Sequence, residues 1–276
     1  MGGIIALNFN PMDIKYIKNS FFEVFLINTP TFGVISLGYF NAFKSIDLME
    51  SKEKIVVQKN IVSLFKKSSI VAGDLNSTPV KINEFLERNG IKGTILSKPS
   101  YLFPKKYVRK EVELPSFDNF IVFDKSIKRQ SISSPVKLPE KIKINPRKYM
   151  KQINSPSDHV PIIGSFNKKD KDIKISIYNV ADPVFWGKYY DGAKQGFDVS
   201  QKGEDKRQII LSRLIEKIVK KTDLSFLTEV PESFIGKIKE ISKRLNRGIL
   251  IKDTTYSGKV LEGISKNVLI YNNSFV

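Results

Sequence analysis

Residues 69–76 read SIVAGDLN, and this stretch decides how the fold is interpreted. The apolar run 70–72 is typical of a buried strand, and Gly73 then leads to a carboxylate, Asp74, and an amide, Asn76. Because strand ends that lead into loops often carry functional side chains, the stretch predicts a functional site at the end of a buried strand. Read alone, it is equally typical of a turn in which Asp and Asn bond their own backbone.

A second stretch, SPSDHVP at residues 155–161, holds the only histidine of the chain, His159, directly after Asp158. Phosphodiester hydrolysis requires a deprotonated water and neutralisation of the charge on the phosphate oxygens. Carboxylate and amide oxygens bind Mg²⁺, and an imidazole can accept a proton or stabilise transition-state charge. The two stretches indicate metal-assisted attack on a phosphodiester, with either Asp118 or Asp158 orienting His159. A lone histidine can also be an ordinary packed or surface residue.

Two later apolar stretches also end in possible ligands for a metal or a phosphate. Residues 173–180 read IKISIYNV and contain Asn179, and residues 223–230 read DLSFLTEV and contain Glu229. Both stretches are predicted to be strands. These third and fourth signals, added to the first two stretches, favour a common site over unrelated turns.

These four stretches resemble the motifs of the endonuclease/exonuclease/phosphatase superfamily, which has the DNase I-like fold. Asn179 is similar to the Asn that ends the family's first strand. Glu229 is similar to its metal-binding Glu, although this chain reads Thr-Glu where the family usually reads Gln-Glu. The resemblance implies an α/β (α+β) fold, a four-layer sandwich of two mixed β-sheets flanked by helices. It also implies Mg²⁺ or Mn²⁺ as cofactor and DNA or RNA as substrate, that is, a Mg-dependent phosphodiesterase of the nuclease type.

The resemblance implies roles for individual residues as well. The implied metal ligands are Glu229, Asn179 and Asp158. The implied catalytic residues are His159, Asp158, Asp74, Asn76, Tyr39 and Asp118. Tyr39 lies in LGYFNA at residues 37–42, which is similar to the exodeoxyribonuclease III-like abasic-site endonucleases, whose Tyr contacts the scissile phosphate. Many other members of the family have a second His at this place, which this chain lacks.

The order of the motifs differs from that of the family, in which the Asn and Glu strands come first. Residues 1–166 correspond to the family's back half and residues 173–276 to its front half, joined by the polar stretch 167–172 as a predicted hairpin loop. This order indicates either a circularly permuted single domain over 1–276 or pieces of two domains from a tandem array. The permuted domain is favoured because each half alone would leave a sheet face unburied.

The composition bears on partners and location. A net charge of +18 favours a polyanionic partner such as nucleic acid, although lysine-rich solvated faces would give the same charge. Residues 105–110, KKYVRK, interleave basic and aromatic side chains in a way that suits nucleic-acid strands or a protected sheet edge. The absence of cysteine and of a signal peptide favours the cytoplasm. No apolar stretch reaches the roughly 18 residues of a membrane span, and no protein partner can be inferred.

Two other classes of function stay open. A catalytically inactive, basic nucleic-acid-binding module would keep the charge without needing a metal, and the missing second His agrees with it. A phosphatase or phospholipase acting on inositol lipid or sphingomyelin would use the same core with different loops. An aromatic insertion at residues 182–203 resembles, loosely, a loop of the deadenylase-like branch; its Trp186, Tyr189 and Tyr190 either stack on substrate or pack on one another.

Periodicity predicts the main secondary structure. Helices are expected over 53–67, 204–221 and 232–245, and strands over 4–7, 22–27 and 32–37. Residues 131–157, rich in Lys, Pro and Ser, are expected to form a long loop that leads into the Ser-Asp-His stretch. The residues of the first helix expected to face the core are Ile55, Val56, Ile61, Val62 and Phe65.

Overall fold

The computed structural model describes residues 14–18, 22–40, 51–102, 112–136, 138, 141–142, 155–180, 201–254 and 265–273. The strands of this part are β1 (Ile14–Lys18), β2 (Glu23–Thr29), β3 (Gly33–Tyr39), β4 (Ile70–Asp74), β5 (Thr94–Ser97), β6 (Val112–Glu113), β7 (Asp118–Val122), β8 (Arg129–Ser133), β9 (Lys141–Ile142), β10 (Ile162–Lys168), β11 (Lys171–Asn179), β12 (Leu224–Pro231), β13 (Arg247–Asp253) and β14 (Ser265–Asn272). Its helices are α1 (Ser51–Lys67), α2 (Pro79–Arg88), α3 (Gln201–Val219) and α4 (Glu232–Arg244). None of these four helices combines the length and the apolar character that crossing a membrane requires.

The strands build two mixed sheets of six strands each and a short ribbon in which β6 pairs with β9. The first sheet has the order β1-β2-β3-β4-β7-β5, and the second has the order β13-β14-β12-β11-β10-β8. One neighbouring pair in each sheet is parallel, β3 with β4 and β11 with β12, and the other pairs are antiparallel. The carboxyl ends of each parallel pair therefore lie side by side.

Apolar side chains divide into three buried clusters that separate four layers. The central cluster lies between the two sheets and includes Phe25 and Phe120 from the first sheet and Phe166 and Phe226 from the second. A second cluster packs α1 and α2 on the outer face of the first sheet, and a third packs α3 and α4 on the second sheet. Strands β4, β7 and β12 are buried along their whole length because both of their faces are covered. The four-layer α/β sandwich expected from the sequence is therefore confirmed.

A tight hairpin joins the two segments that the motif order separates. Strands β10 and β11 pair antiparallel, with Ile162 opposite Ile177 and Lys168 opposite Lys171. The turn residues Lys169 and Asp170 have φ angles of 49° and 60°, as the two-residue turns that match strand twist require. The predicted hairpin is confirmed, but its turn is shorter than the expected stretch 167–172, because residues 167–168 and 171–172 belong to the paired strands. The second sheet thus combines β8 and β10 from the first segment with four strands from the second.

Two expectations about local structure are wrong in part. In α1 the buried positions are Val57, Ile61, Leu64 and Phe65, one helical stripe, whereas Ile55 and Val56 are about half exposed. Residues 131–157 are not one continuous loop. Residues 131–133 belong to β8, which pairs with β10, and residues 141–142 form β9. The strand expected at residues 4–7 lies outside the described residues.

Candidate functional site

The ends of the two parallel strand pairs meet where the sheets face each other. In the first sheet Tyr39 lies beside Asp74, and in the second Asn179 lies beside Thr228. Strand β11 contacts β4, and β12 contacts β3, across the sandwich. Asn179 Nδ2 donates a hydrogen bond of 3.0 Å to Asp74 Oδ2. This contact joins residues 105 positions apart in the chain and closes the space between the two strand ends.

A tight approach of two strands determines the backbone at Asp74. Gly73 has a φ of 153°, and a Cβ atom there would lie 1.7 Å from the carbonyl oxygen of Gly38 in β3. Only glycine therefore fits before Asp74. After the strand, Asn76 adopts a φ of 48° and its backbone N–H donates a 2.9 Å hydrogen bond to Asp74 Oδ1. Both carboxylate oxygens of Asp74 are thus held.

His159 forms a buried ion pair with Asp118, which lies on β7. Its Nδ1 donates a hydrogen bond of 2.7 Å to Asp118 Oδ2, and its ring centroid lies 4.9 Å from that of Tyr101. The backbone N–H of His159 donates a hydrogen bond of 3.1 Å to Ser157 Oγ. Asp118 begins β7 directly opposite Asp74 in the β4–β7 pairing. Of the two carboxylates that the sequence left open, Asp118 is the one that contacts the imidazole nitrogen.

Two residues that sequence reasoning missed fix the loop that carries the Ser-Asp-His stretch. Ser157 Oγ donates a 2.8 Å hydrogen bond to the carbonyl oxygen of Asn179. Arg207, in the first half of α3, donates from Nε to the carbonyl oxygen of Pro156 at 2.8 Å and from Nη2 to that of Val180 at 2.9 Å. These bonds tie the loop to the end of β11. Ser157 lies within the quoted motif, but no sequence signal distinguishes Arg207 from the many other basic residues.

Glu229 occupies a strained backbone position within β12. It has a φ of 55°, in the left-handed region that non-glycine residues rarely adopt, and the pairing of β12 with β14 is interrupted at this point. Such strain costs about 1–3 kcal/mol and is found mostly at functional sites. An interruption of this kind also redirects a side chain out of the regular ladder. Glu229 is buried, like the other acidic residues of the site.

The Tyr39 hydroxyl interacts electrostatically with the carboxylates of both Glu229 and Asp74. Burial raises the pKa of the Tyr39 hydroxyl well above its usual value, and the carboxylates of Glu229 and Asp74 raise it further. The tyrosine hydroxyl is thus close to carboxylates from both sheets. It stays protonated at physiological pH and can donate a hydrogen bond.

The buried charges strongly affect one another. Burial lowers the pKa of His159, but the surrounding carboxylates, led by Asp118, outweigh it and raise the pKa to about 10. Burial and the neighbouring Asp118 carboxylate raise the pKa of Asp74 to about 6, and burial raises that of Asp158 to about 6. At neutral pH the imidazole is therefore a cation, and Asp74 and Asp158 are largely ionised.

The site has the donor atoms that a divalent cation needs. Asp74, Asp118 and His159 each offer an atom, and these atoms lie within 4.8 Å of one another. Asp118 Oδ1 is buried and has no hydrogen-bond partner among the described residues. Because His159 Nδ1 faces Asp118 and carries a proton, the carboxylates are better donors than the imidazole. Hard oxygen donors of this kind suit Mg²⁺ or Mn²⁺.

The eight residues expected to bind metal or to take part in catalysis lie in the described part of the chain and are buried or partly buried. Hydrogen bonds bring Asp74, Asn76 and Asn179 together, and another joins Asp118 to His159. Asp158 follows Ser157 in the loop that Arg207 holds, and its carboxylate raises the pKa of His159. The basic stretch 105–110 and the aromatic residues Trp186, Tyr189 and Tyr190 lie outside the described residues.

No family model and no curated protein sequence matches the chain. Similar solved structures include an endonuclease/exonuclease/phosphatase family protein from Leptotrichia buccalis, with a TM-score of 0.44 and 10% identity over 81% of this chain and 84% of that one. Humanized D. rerio TDP2 has a TM-score of 0.43 and 5% identity, covering 84% and 82%. D. rerio TDP2 complexed with a single-strand DNA product has a TM-score of 0.42 and 7% identity, covering 85% and 82%. Structural similarities this weak do not support a function for this chain. A function has to be inferred from the residues of the site.

Proposed function

We propose that this chain is a metal-dependent phosphodiesterase of the endonuclease/exonuclease/phosphatase superfamily and that it acts as a nuclease. The observation that carries the proposal is the contact between Asn179 and Asp74 beside the Asp118–His159 ion pair. Side-chain hydrogen bonds join residues from three of the four sequence motifs, and Thr228 of the fourth pairs with Asn179, which supports a common site. Turns that bond their own backbone, or a histidine that merely packs, do not require such convergence.

In this proposal Glu229, Asp158 and Asn179 hold Mg²⁺ or Mn²⁺. Asp74, whose donor atom converges with those of Asp118 and His159, helps to arrange the metal and its water. A bound ion supplies neutralisation of charge on the phosphate oxygens and lowers the pKa of water. The burial of the acidic residues supports this role for a cation. Ionising buried carboxylates such as Asp74 and Asp158 costs desolvation free energy, and burial raises the pKa of both groups. A divalent cation offsets that penalty.

The residues of the chain then have distinct tasks. Asp118 holds His159 as an imidazolium, which stabilises the negative charge that develops on the phosphate oxygens. Asp74 is mostly ionised at neutral pH and accepts the proton of the attacking water, for which a pKa of about 6 is well suited. Asn76 orients the water or the phosphate. Tyr39, held protonated, donates a hydrogen bond to a phosphate oxygen.

A nucleic acid is the substrate favoured by charge. The net charge of +18 provides sequence-independent affinity for a polyphosphate backbone. A catalytically inactive basic module would bind nucleic acid in a salt-dependent manner without a metal. It would not need a buried carboxylate on a strained backbone such as that of Glu229. A lipid-directed phosphatase or phospholipase would instead prefer inositol lipid or sphingomyelin head groups over DNA and RNA.

We further propose that residues 1–276 form one circularly permuted domain. The β10–β11 hairpin joins the segments 1–166 and 173–276 within one sheet, and the contact between Asp74 and Asn179 takes one partner from each segment. In the tandem-array alternative, each segment would be completed by a neighbouring domain, and Asp74 and Asn179 of the same chain would not have to be in contact.

The test is a cleavage assay on plasmid DNA, single-stranded DNA and RNA with Mg²⁺ or Mn²⁺, and again with a chelator. Asp74→Asn should reduce the rate by about 10² to 10⁴, as loss of a positioned base does. The matched control is Asp124→Asn, because Asp124 lies beyond the far end of β7 and pairs with Lys168. Cleavage that persists in chelator, or an Asp74→Asn variant as active as the control, would contradict the proposal.

A further inference from the structure

The interruption in β12 lies opposite a single residue of β14. Thr228 and Glu229 face Asn267 alone, so that β12 has one extra residue at this point. The pairs on either side are Leu227 with Val268 and Val230 with Lys266. Asn267 is thus the residue of β14 closest in register to Glu229.

A chain of buried hydrogen bonds leads from this bulge to the other sheet. Thr228 Oγ1 donates to Asn267 Oδ1 at 2.7 Å, and Asn267 Nδ2 donates to Glu23 Oε2 at 2.6 Å. The hydroxyl of Tyr16 donates to the same Glu23 oxygen at 3.2 Å. Thr228, Asn267 and Glu23 are all at most 2% exposed. Polar side chains buried to this degree remain only where their hydrogen bonds are satisfied.

The other end of the chain of hydrogen bonds lies beside Tyr39. Glu23 begins β2 and is directly opposite Tyr39 in the β2–β3 pairing, and its carboxylate contributes to the raised pKa of the Tyr39 hydroxyl. The connection therefore runs from β2, the strand that pairs with the one carrying Tyr39, to β12, the strand that carries Glu229. Thr228 is also fixed at its backbone, because its carbonyl oxygen accepts a 2.9 Å hydrogen bond from the N–H of Val180.

We propose that Thr228, Asn267 and Glu23 are positioning residues that hold Glu229 and Tyr39 in place across the two sheets. The inference rests on the proposed function. A fully connected buried network fixes one arrangement of its members, and a strained residue such as Glu229 needs surrounding structure to keep it in place. The Thr at position 228, where the resembled family usually has Gln, is the residue that makes the bond to Asn267.

The experiment compares Thr228→Val, which keeps the shape but removes the hydroxyl, with Thr228→Ser, which restores the donor. Mn²⁺ affinity is measured by isothermal titration calorimetry, and kcat and KM are measured separately on DNA. Thr228→Val should weaken Mn²⁺ binding or kcat by about 10- to 100-fold, the usual cost of removing a residue that orients a ligand. Thr228→Ser should recover most of the loss, with little change in KM in either variant.

The matched control is Thr222→Val, because Thr222 is buried and donates to the carbonyl oxygen of Ile218 away from the site. It should lower the unfolding midpoint without changing Mn²⁺ affinity. If Thr228→Val does not fold, Asn267→Ser serves instead, since its shorter side chain cannot span from Thr228 to Glu23. Wild-type Mn²⁺ affinity and kcat in a folded Thr228→Val or Asn267→Ser protein would overturn the inference while leaving the nuclease proposal intact.

Failure of the proposed function is distinguishable from failure of the inference. A wild-type protein that binds Mn²⁺ but cleaves no phosphodiester contradicts the nuclease, and the difference in Mn²⁺ affinity between Thr228→Val and Thr228→Ser still decides the inference. A wild-type protein that binds no Mn²⁺ contradicts both.

Discussion

Replacing Asp118 with Asn is the sharpest test of the site, because the chain contains only one histidine and its titration can be followed alone. The Asp118 carboxylate lies 2.7 Å from His159 Nδ1, and both side chains are buried. Asn has nearly the same shape but no charge. The substitution therefore removes the leading cause that holds the imidazole as a cation.

The expected change in the proton affinity of His159 follows from its distance to Asp118 and from the burial of both side chains. Loss of an opposite charge at this range should weaken proton binding to His159 by about 10- to 1000-fold. Because the pKa of His159 starts at about 10, a loss of this size leaves much of the imidazole protonated at neutral pH. If the imidazolium stabilises the transition state, the cleavage rate of the variant should fall at alkaline pH, by up to about 10- to 1000-fold, where the variant loses this proton and the wild type keeps it. The activity of the variant should be highest near neutral pH, because more acidic conditions protonate Asp74, the proposed base, whose pKa is about 6.

The raised pKa of His159 also makes the stability of the folded protein depend on pH. The folded pKa of His159, about 10, lies above the ordinary value of 6.5. Its contribution to stability is therefore fully present below about pH 6.5 and is lost as the pH rises through about 10. Asp118→Asn should remove most of this pH dependence, as measured by urea unfolding at several pH values.

The measurements are an NMR titration of the single histidine and the cleavage rate as a function of pH. Asp124→Asn is the control, since that carboxylate contacts Lys168 and not the imidazole. A wild-type His159 that titrates near pH 6.5, or the same titration in folded Asp118→Asn as in wild type, would refute the reasoning.

Two further predictions concern the fold. Gly73→Ala should destabilise the protein by more than about 4 kcal/mol in urea unfolding, because its Cβ would lie 1.7 Å from the Gly38 carbonyl oxygen. Gly236→Ala, in α4 with no atom within 4 Å of the added Cβ, should stabilise it by up to about 1 kcal/mol, and similar effects at both positions would contradict the close approach of β3 and β4. Residues 1–166 and 173–276 expressed separately should each be insoluble or show no cooperative unfolding, because each exposes an apolar sheet face. Cooperative folding of either piece alone would favour the tandem-array alternative.

Much of the fold could be predicted because the deciding signals are local. The apolar run that forms β4 is continuous and the strand is buried throughout, and the apolar residues of β11 alternate with polar ones at strand spacing. The helices α3 and α4 carry apolar residues at helical spacing and lie within a few residues of their expected bounds. Such patterns depend on neighbours along the chain and need no tertiary information.

Other features depend on partners far away in the chain. Strand β8 reads RQSIS and contains one apolar residue, and it forms because β10 offers it an edge with which to pair. Ile55 and Val56 were expected in the core because any apolar residue of an amphipathic helix is a candidate. The direction in which α1 meets its sheet decides that Val57 and Ile61 are buried instead.

The sequence by itself determined which residue types end the strands, and hence the kind of chemistry that the site can support. The tertiary structure alone decided which of them touch. Asp118 contacts His159 across 41 positions of sequence because the register of β4 with β7 places it there, whereas Asp158, the immediate neighbour of His159, does not contact Nδ1. Arg207, Asn267 and Glu23 carried no signal for the same reason, since hydrogen bonds between elements that are distant in the chain are fixed by packing and register and not by local sequence.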